Sequence, residues 1–170
     1  PVWGFENWYM DYERSHGCIT DLHLHDIDLI RYLCGEPISV FCETQDMYSH
    51  MDTAYSVLRY EDFSLLAIGD WSCEGLPFTA DFRVAFERAT VDCEGDTVTV
   101  YPRGGSAFSL DFAEDNFYEN EIRSFVDALE TGNEKTDVVN PPESAAMTIK
   151  LIETLIKSAE AGGRVLPFRT

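Results

Sequence analysis

A run of ten residues near the start of the chain, TDLHLHDIDL (20–29), contains the side chains best suited to chemistry. An aspartate four residues before a histidine lies beside it on a helix surface, and Asp21 and His25 have this spacing. A nearby carboxylate favours the charged imidazole and orients the ring, which gives a group able to exchange a proton near neutral pH. The spacing alone leaves two interpretations open: an acid–base pair, or a helix-surface pair without a catalytic role.

The two histidines of this run also suggest a metal site. On a strand, His23 and His25 would lie on one side of the chain and could share an ion. On a helix they point about 200° apart, because each residue turns by about 100°. The helical spacing of the apolar residues favours a helix, so we predict no metal site. A metal-dependent hydrolase that uses these histidines is the weaker alternative.

The residues around the pair indicate a helix that is packed on both sides. A helical wheel places four polar side chains in one stripe about 60° wide: Asp21, His25, Asp28 and Tyr32. Apolar residues flank this stripe on both sides, so one covering layer does not account for them. We expect one layer to come from the rest of this chain and the other from a segment outside it, with the stripe lining the seam.

The elements that must hold this helix follow an α+β order. The helix is predicted from about Gly17 to Cys34, and Gly35 and Pro37 end it. Segments rich in β-branched and aromatic residues follow, separated by short turns: 38–49, 53–60, 63–71, 78–87, 89–93, 97–101 and 107–112. The pattern predicts an open, mainly antiparallel sheet with helices packed on one face.

Two further helices and a short strand are predicted to close the chain. The first helix ends at Gly132 and carries four apolar residues on one face: Tyr118, Ile122, Phe125 and Leu129. The second has Asn140 as its N-cap and Pro141 as its first residue, and it ends at Gly162. The run RVLPF (164–168) is the candidate for a last strand.

Composition restricts the class of protein. The chain has 170 residues, 45% of them hydrophobic, which suits a single folded domain over residues 1–170. The formal charge of −19 would repel nucleic acid and anionic membranes, so we expect neither as a partner. No apolar run is long enough to span a bilayer. The five cysteines form no C-x-x-C pair, which favours reduced thiols in a cytoplasmic protein.

The start of the sequence indicates one part of a longer protein. The chain begins at Pro1, without an initiating methionine, and enters directly into an aromatic-rich run. It also contains no G-x-G-x-x-G turn, no Walker A loop and no alternation of strands and helices of the βαβ kind. We therefore expect this chain to lack a dinucleotide cradle of its own.

Three segments of the sequence resemble one known family. The segment SHGCITDLHLHDIDLIRYLCGEPISV (15–40) is similar to the start of the C-terminal domain of the Gfo/Idh/MocA oxidoreductases. These include glucose–fructose oxidoreductase and inositol dehydrogenase. Six residues stand in matching places of the family pattern: Gly17, Asp21, His25, Asp28, Leu33 and Gly35. The segments 117–132 and 141–165 resemble the last two helices of the family domain, but they are less specific.

The resemblance implies a function. Family members bind NAD or NADP mainly through an N-terminal Rossmann domain, which would lie upstream of Pro1 and contribute a catalytic lysine. The C-terminal domain supplies the pocket for a sugar, sugar derivative or cyclitol, and many members form homo-oligomers through the open sheet face. By resemblance, His25 is the general acid–base, assisted by Asp21, and this chain alone is expected to be inactive. A sensing or assembly module of the same fold is the alternative.

The sequence departs from the family pattern at two positions. His16 and His23 stand where the family usually has glycine, and both are predicted to contact substrate. Four residues before the motif are further candidates for substrate contacts: Trp8, Tyr9, Tyr12 and Arg14. Aromatic rings suit the C–H faces of a sugar, and a guanidinium suits an acidic sugar or the cofactor. Core or interface packing is the alternative for the aromatic residues.

Overall fold

The structure, a computed structural model, describes residues 4–112, 116–132 and 140–168. The chain divides into two compact units, Pro1–Glu74 with Asn140–Thr170, and Gly75–Val139. Each unit contains one four-stranded antiparallel sheet. The predicted α+β class with antiparallel strands and helices is confirmed, although the strands form two sheets where the sequence predicted one.

The strands lie close to the segments predicted from composition. In chain order they are β1 (Ser39–Gln45), β2 (Thr53–Arg59), β3 (Ser64–Asp70), β4 (Phe82–Ala85), β5 (Ala89–Glu94), β6 (Thr97–Pro102), β7 (Phe108–Asp111) and β8 (Leu166–Pro167). The first unit has the order β3-β2-β1-β8, and the second has the order β4-β5-β6-β7. The last strand predicted from the sequence is therefore confirmed as an edge strand beside β1.

An irregular connector between β3 and β4 explains why the predicted single sheet is wrong. Residues 71–81 pair with no strand, and the predicted strand 78–87 begins only at Phe82. Gly75 in this connector has a φ of 79°, in the left-handed region that favours glycine. Pro77 has no N–H to donate to a ladder. The strands on either side therefore pair only with their own hairpin neighbours.

The helices are α1 (Tyr12–Ser15), α2 (Gly17–Asp21), α3 (His23–Cys34), α4 (Phe117–Thr131) and α5 (Pro142–Glu160). A short segment of 3₁₀ turns, Phe5–Met10, precedes α1. The single helix predicted from Gly17 to Cys34 is interrupted at Leu22. The N–H of Leu22 still donates to the carbonyl of Cys18, but the N–H of His25 donates to the carbonyl of Leu22, three residues back. This tighter turn separates α2 from α3.

Helices α3 and α5 cover one face of the sheet in the first unit, as predicted. Inward side chains of the strands alternate with outward ones. The core that they form with the helices consists mainly of aliphatic residues: Ile19, Ile27, Val40, Ala54, Leu58, Leu151, Ile152 and Leu155. The outward face of β3 is apolar and open, because Leu66 and Ile68 are 65% and 53% exposed.

The predicted N-cap of α5 is wrong by one residue. Pro141 occupies the N-cap with extended backbone angles (φ −68°, ψ 158°), and no side chain caps the helix. The amide of Asn140 instead donates to Asp28 Oδ2 of α3 at 3.1 Å. A contact between residues 112 positions apart overrides the local preference of asparagine for the cap.

The second unit contains β4–β7 and the amphipathic helix α4. Asn116 caps α4, because its side-chain oxygen accepts the N–H of Glu119 at 3.1 Å. Gly132 ends the helix in the left-handed conformation. The predicted apolar face is present, and its residues are largely exposed within the described part of the chain: Tyr118, Ile122, Phe125 and Leu129.

Two further expectations concern the cysteines and membrane-spanning helices. All five cysteines are free thiols, as predicted. In the described ranges, no helix has both the length and the apolar character needed to cross a membrane.

Candidate active site

The break at Leu22 sets the positions of the predicted acid–base pair. Asp21 is the last residue of α2 and is partly buried, whereas His25 lies in the first turn of α3 and is exposed. Burial raises the pKa of Asp21, and the nearby His25 lowers it. The two groups therefore act on each other electrostatically, and the imidazole is exposed whereas the carboxylate is partly buried.

An open pocket of about 280 Å³ lies in the same unit. Its lining consists of aromatic residues, one glycine and one arginine: Gly4, Phe5, Trp8, Tyr9 and Arg14. Trp8 and Tyr9 meet edge to face with ring centroids 5.1 Å apart, and Tyr9 meets Trp71 in the same way at 5.6 Å. Three of the predicted substrate contacts are therefore together in one pocket.

Tyr9 connects this pocket to the acid–base pair. Burial raises the pKa of Tyr9, and the charge of Asp21 raises it further, so Asp21 lies near the phenol. Asp21 in turn lies near His25. A ligand that occupied the pocket would contact Tyr9, whose phenol is subject to the charge of Asp21.

Sequence analysis did not identify Gly4 and Phe5 as lining residues. A Cβ on Gly4 would lie 2.5 Å from the ring of Tyr9, so only glycine allows the ring its place in the wall. The aromatic density of the first residues was the available signal. It does not show which rings face the same space, because that depends on the turn Phe5–Met10.

Two of the three remaining predicted contacts, Tyr12 and His16, lie outside the pocket lining. The ring of Tyr12 meets His16 at 6.0 Å and His50 at 4.6 Å, both edge to face. His16 adopts a left-handed backbone (φ 56°) between α1 and α2. Gly17 follows with a φ of 77°, and a Cβ there would lie 2.6 Å from the carbonyl oxygen of His50. This turn explains physically why the second glycine of the family pattern is retained here.

His23 does not face a site, contrary to our prediction. Its side chain is completely buried, with Nδ1 3.1 Å from Asp26 Oδ2 and Nε2 2.9 Å from Ser56 Oγ. Both ring nitrogens are therefore occupied inside the unit, while His25 is on the outside. This arrangement supports neither a substrate contact through His23 nor an ion shared with His25. Among the described residues, no group of three or more potential metal ligands comes together.

Gly69 of β3 provides the space for His23. A Cβ on Gly69 would lie 2.7 Å from the His23 Cβ and 2.9 Å from its ring. The imidazole thus packs directly on the strand backbone. A glycine within a strand was the available sequence signal, because such a residue often marks close approach by another group.

We expect Gly69→Ala to lower the free energy of unfolding by about 1–3 kcal/mol, because the added methyl group forces α3 away from the sheet. Urea titration of the chain measures this change. The matched test is Gly69→Ala in a His23→Gly background, where no side chain occupies the space beside Gly69. There the loss of unfolding free energy caused by Gly69→Ala should be much smaller than in the original chain. Equal costs in the two backgrounds would contradict this packing.

Asp28, the second acidic residue of the stripe, joins α3 to α5. Its carboxylate accepts the hydroxyl of Thr148 and the amide of Asn140, and it lies 3.8 Å from the guanidinium of Arg31. Arg31 also donates to the carbonyl of Ser144 at 2.8 Å. This network fixes the helix that carries His25. Asp28 therefore stabilises the packing of α3 against α5.

Comparison with protein-family models shows to which family the chain belongs. Residues 1–98 match the model of the GFO/IDH/MocA C-terminal domain. The chain belongs to the Gfo/Idh/MocA family. The resemblance identified from the motif around Asp21 and His25 is therefore confirmed. No curated protein sequence matches the chain significantly.

Solved structures share the fold of this Gfo/Idh/MocA domain. An inositol dehydrogenase homologue from Azotobacter vinelandii, in complex with NAD⁺, superimposes with a TM-score of 0.79 at 16% identity, over 96% of this chain and 52% of that one. A UDP-N-acetylglucosamine 3-dehydrogenase from Acidithiobacillus ferrooxidans gives 0.75 at 18%, over 85% and 47%. An oxidoreductase from Sinorhizobium meliloti gives 0.75 at 12%, over 92% and 54%. This chain spans about half the length of these proteins.

Proposed function

We propose that this chain is the substrate-binding and oligomerisation domain of an NAD(P)-dependent oxidoreductase that acts on a hydroxyl or carbonyl group of a sugar, sugar derivative or cyclitol. One observation carries the proposal: in a Gfo/Idh/MocA domain, His25 is exposed and has the partly buried Asp21 within electrostatic reach. The same unit contains an aromatic-walled pocket, which suits the C–H faces of a ring with hydroxyl groups, and the charge of Asp21 acts on Tyr9 in its wall.

The residues of this chain would manage the proton of the reaction. In the oxidative direction, a ring nitrogen of His25 accepts the hydroxyl proton of the substrate, and in the reductive direction it returns the proton. Asp21 stabilises the imidazolium and orients the ring. Trp8 and Tyr9 hold the substrate ring and exclude water from one side of it. NAD or NADP would supply the hydride acceptor or donor.

The residues present here do not form a cradle for the dinucleotide. The chain has no glycine-rich phosphate loop, and its net charge of −19 opposes a pyrophosphate. We therefore assign the cofactor and the catalytic lysine to a Rossmann domain outside this chain. The NAD⁺ complex of the A. vinelandii homologue, which is about twice as long, agrees with this assignment.

We expect the complete protein to reduce NAD⁺ or NADP⁺ in the presence of a cyclitol or sugar from a panel, measured by absorbance of the reduced nicotinamide. Calorimetric titration of this chain alone with NAD⁺ or NADP⁺ should show no binding. A complete sequence without a G-x-G-x-x-G turn and a pocket lysine, together with no turnover, would contradict the proposal. That outcome would favour the sensing or assembly module.

We also propose a homo-oligomer that uses the open sheet face of the first unit. Cross-strand pairs Val57–Leu66 and Tyr55–Ile68 form an apolar surface there, and burial of such a surface favours association. The molar mass of the complete protein in solution tests this proposal, and a monomer at high concentration would contradict it.

A further inference from the structure

The aromatic-walled pocket contains a guanidinium group that the proposed chemistry does not use. Arg14 is exposed at the pocket, and its Nη1 donates to the carbonyl oxygen of Glu6 over a long distance of 3.5 Å. In the described part of the chain, no carboxylate forms an ion pair with it. The guanidinium therefore keeps most of its five N–H donors available for a ligand.

Arg14 is one of few cationic side chains in an acidic part of the chain. Between residues 4 and 34 the cationic side chains are Arg14 and Arg31, and Arg31 is buried in the network between α3 and α5. The same stretch contains several carboxylates, among them Glu6 and Glu13, which are close to Arg14 in sequence. A chain of net charge −19 repels anions in general, so an anion would need a local cation in order to bind.

The other walls of the pocket limit what the ligand can be. Phe5 and Trp8 offer aromatic surface, and Phe5 is 81% exposed. Tyr9 is part of the pocket wall, and the charge of Asp21 acts on its phenol. A ligand that fills this space has an apolar ring face against the aromatic residues, an anionic group on Arg14 and its remaining hydroxyl groups towards the acid–base pair.

We propose that Arg14 binds the anionic group of the substrate, so that the enzyme acts on an acidic sugar in preference to a neutral one. This inference rests on the proposed oxidoreductase function and names its substrate class. A carboxylate and a phosphate each present a pair of oxygens that can accept two parallel hydrogen bonds from a guanidinium. Arg14 and His25 lie on different elements, α1 and α3, so the anionic group and the reacting carbon of the proposed substrate are different parts of it.

The test compares acidic and neutral sugars in the complete protein. A hexuronate, a hexose phosphate and the corresponding neutral hexose serve as substrates, and quenching of tryptophan fluorescence, to which Trp8 contributes, measures their binding without turnover. We expect one of the two acidic compounds to be preferred, and the better one distinguishes a carboxylate from a phosphate. Arg14→Gln should weaken its binding or kcat/KM by about 10- to 100-fold and change those of the neutral hexose by less than about threefold.

Two control variants separate a ligand contact from other effects. Arg14→Lys keeps the charge and should restore part of the preference. Arg59→Gln removes an exposed cation from the end of β2, and it should leave the preference unchanged.

The anion subsite at Arg14 and the proposed oxidoreductase activity can be contradicted separately. Turnover that prefers the neutral hexose, or an equal loss for all three sugars in Arg14→Gln, overturns the Arg14 assignment but leaves the oxidoreductase intact. If no sugar is turned over, the proposed function fails. In that case, fluorescence binding of an acidic sugar that depends on Arg14 still supports the subsite, and absence of such binding overturns it.

Discussion

His25→Asn in the complete protein is expected to lower kcat/KM at least about a hundredfold, the scale of a lost general base. Asparagine keeps a polar group of similar size but cannot accept the hydroxyl proton at neutral pH. Because His25 is exposed and forms no part of the core, the free energy of unfolding should change by less than about 0.5 kcal/mol. Steady-state kinetics and urea titration measure the two effects separately.

A matched control is present in the same unit. His50 is another exposed histidine with an aspartate partner, since its Nδ1 lies 3.0 Å from Asp46. His50→Asn should leave kcat/KM within about threefold of the original, because ordinary surface substitutions have small effects. If His25→Asn kept most of the activity, the acid–base role of His25 would be excluded.

Asp21→Asn tests the second member of the pair. The amide keeps the size of the side chain but removes the negative charge that would stabilise the imidazolium formed when His25 accepts a proton. We expect a lower plateau of kcat/KM for oxidation, measured by steady-state kinetics. An unchanged plateau would contradict the role of Asp21 in the pair.

Asp52→Asn is expected to lower the free energy of unfolding by about 2–4 kcal/mol, because it disturbs a buried carboxylate that accepts several hydrogen bonds. The N–H groups of residues 47, 48 and 49 donate to Oδ2 at 2.6–2.7 Å. The Ser49 hydroxyl and Trp71 Nε1 donate to Oδ1 at 2.6 and 2.8 Å. The amide NH₂ of an asparagine at this position would face other N–H donors, and the indole N–H of Trp71 cannot accept a hydrogen bond from it.

The sign of the pH dependence follows from the same contacts. Burial raises the pKa of Asp52, but the hydrogen bonds from Ser49, Trp71 and Met47 lower it more, and the pKa lies well below its ordinary range. The stabilisation is therefore complete above the ordinary pKa of about 3.9 and is lost as the pH falls towards the folded value. Asp52→Asn should flatten the decline of stability at acid pH.

Asp46→Asn is the control for this second prediction. Asp46 lies in the same loop and its pKa is also lowered, mainly by the N–H of Met51 and also by His50, but its side chain is 56% exposed. Its replacement should cost about 1 kcal/mol or less, because water can satisfy the groups that it leaves. Equal losses for the two variants in urea titration would refute the special position of Asp52.

Much of the local structure could be predicted from the sequence, because it depends on neighbouring residues. Alternating β-branched and aromatic residues indicated the strands, and the bounds differ from the structure by a few residues in most cases. Gly132 ended a helix as expected, since a left-handed residue there favours glycine. The spacing of Asp21 and His25 predicted an interacting pair, and the charge of His25 lowers the pKa of Asp21 despite the break at Leu22.

Only the tertiary structure decided which residues share a space. Whether His23 faced a ligand or the core depended on Gly69, which lies in a strand far along the chain. Asp28 belongs to a network with Thr148, 120 positions away, and the Asp52 carboxylate needs the indole of Trp71. No local pattern signals such contacts, because they form only when the sheet and its helices have packed.

The sequence by itself thus determined the class of fold, the family and the candidate pair Asp21–His25. The structure decided the division into two sheets, the burial of His23 and the pocket in which Arg14 lies beside aromatic rings. The physical reason is range: helix and strand propensities act over a few residues, whereas pairing, burial and pocket formation depend on contacts between distant segments.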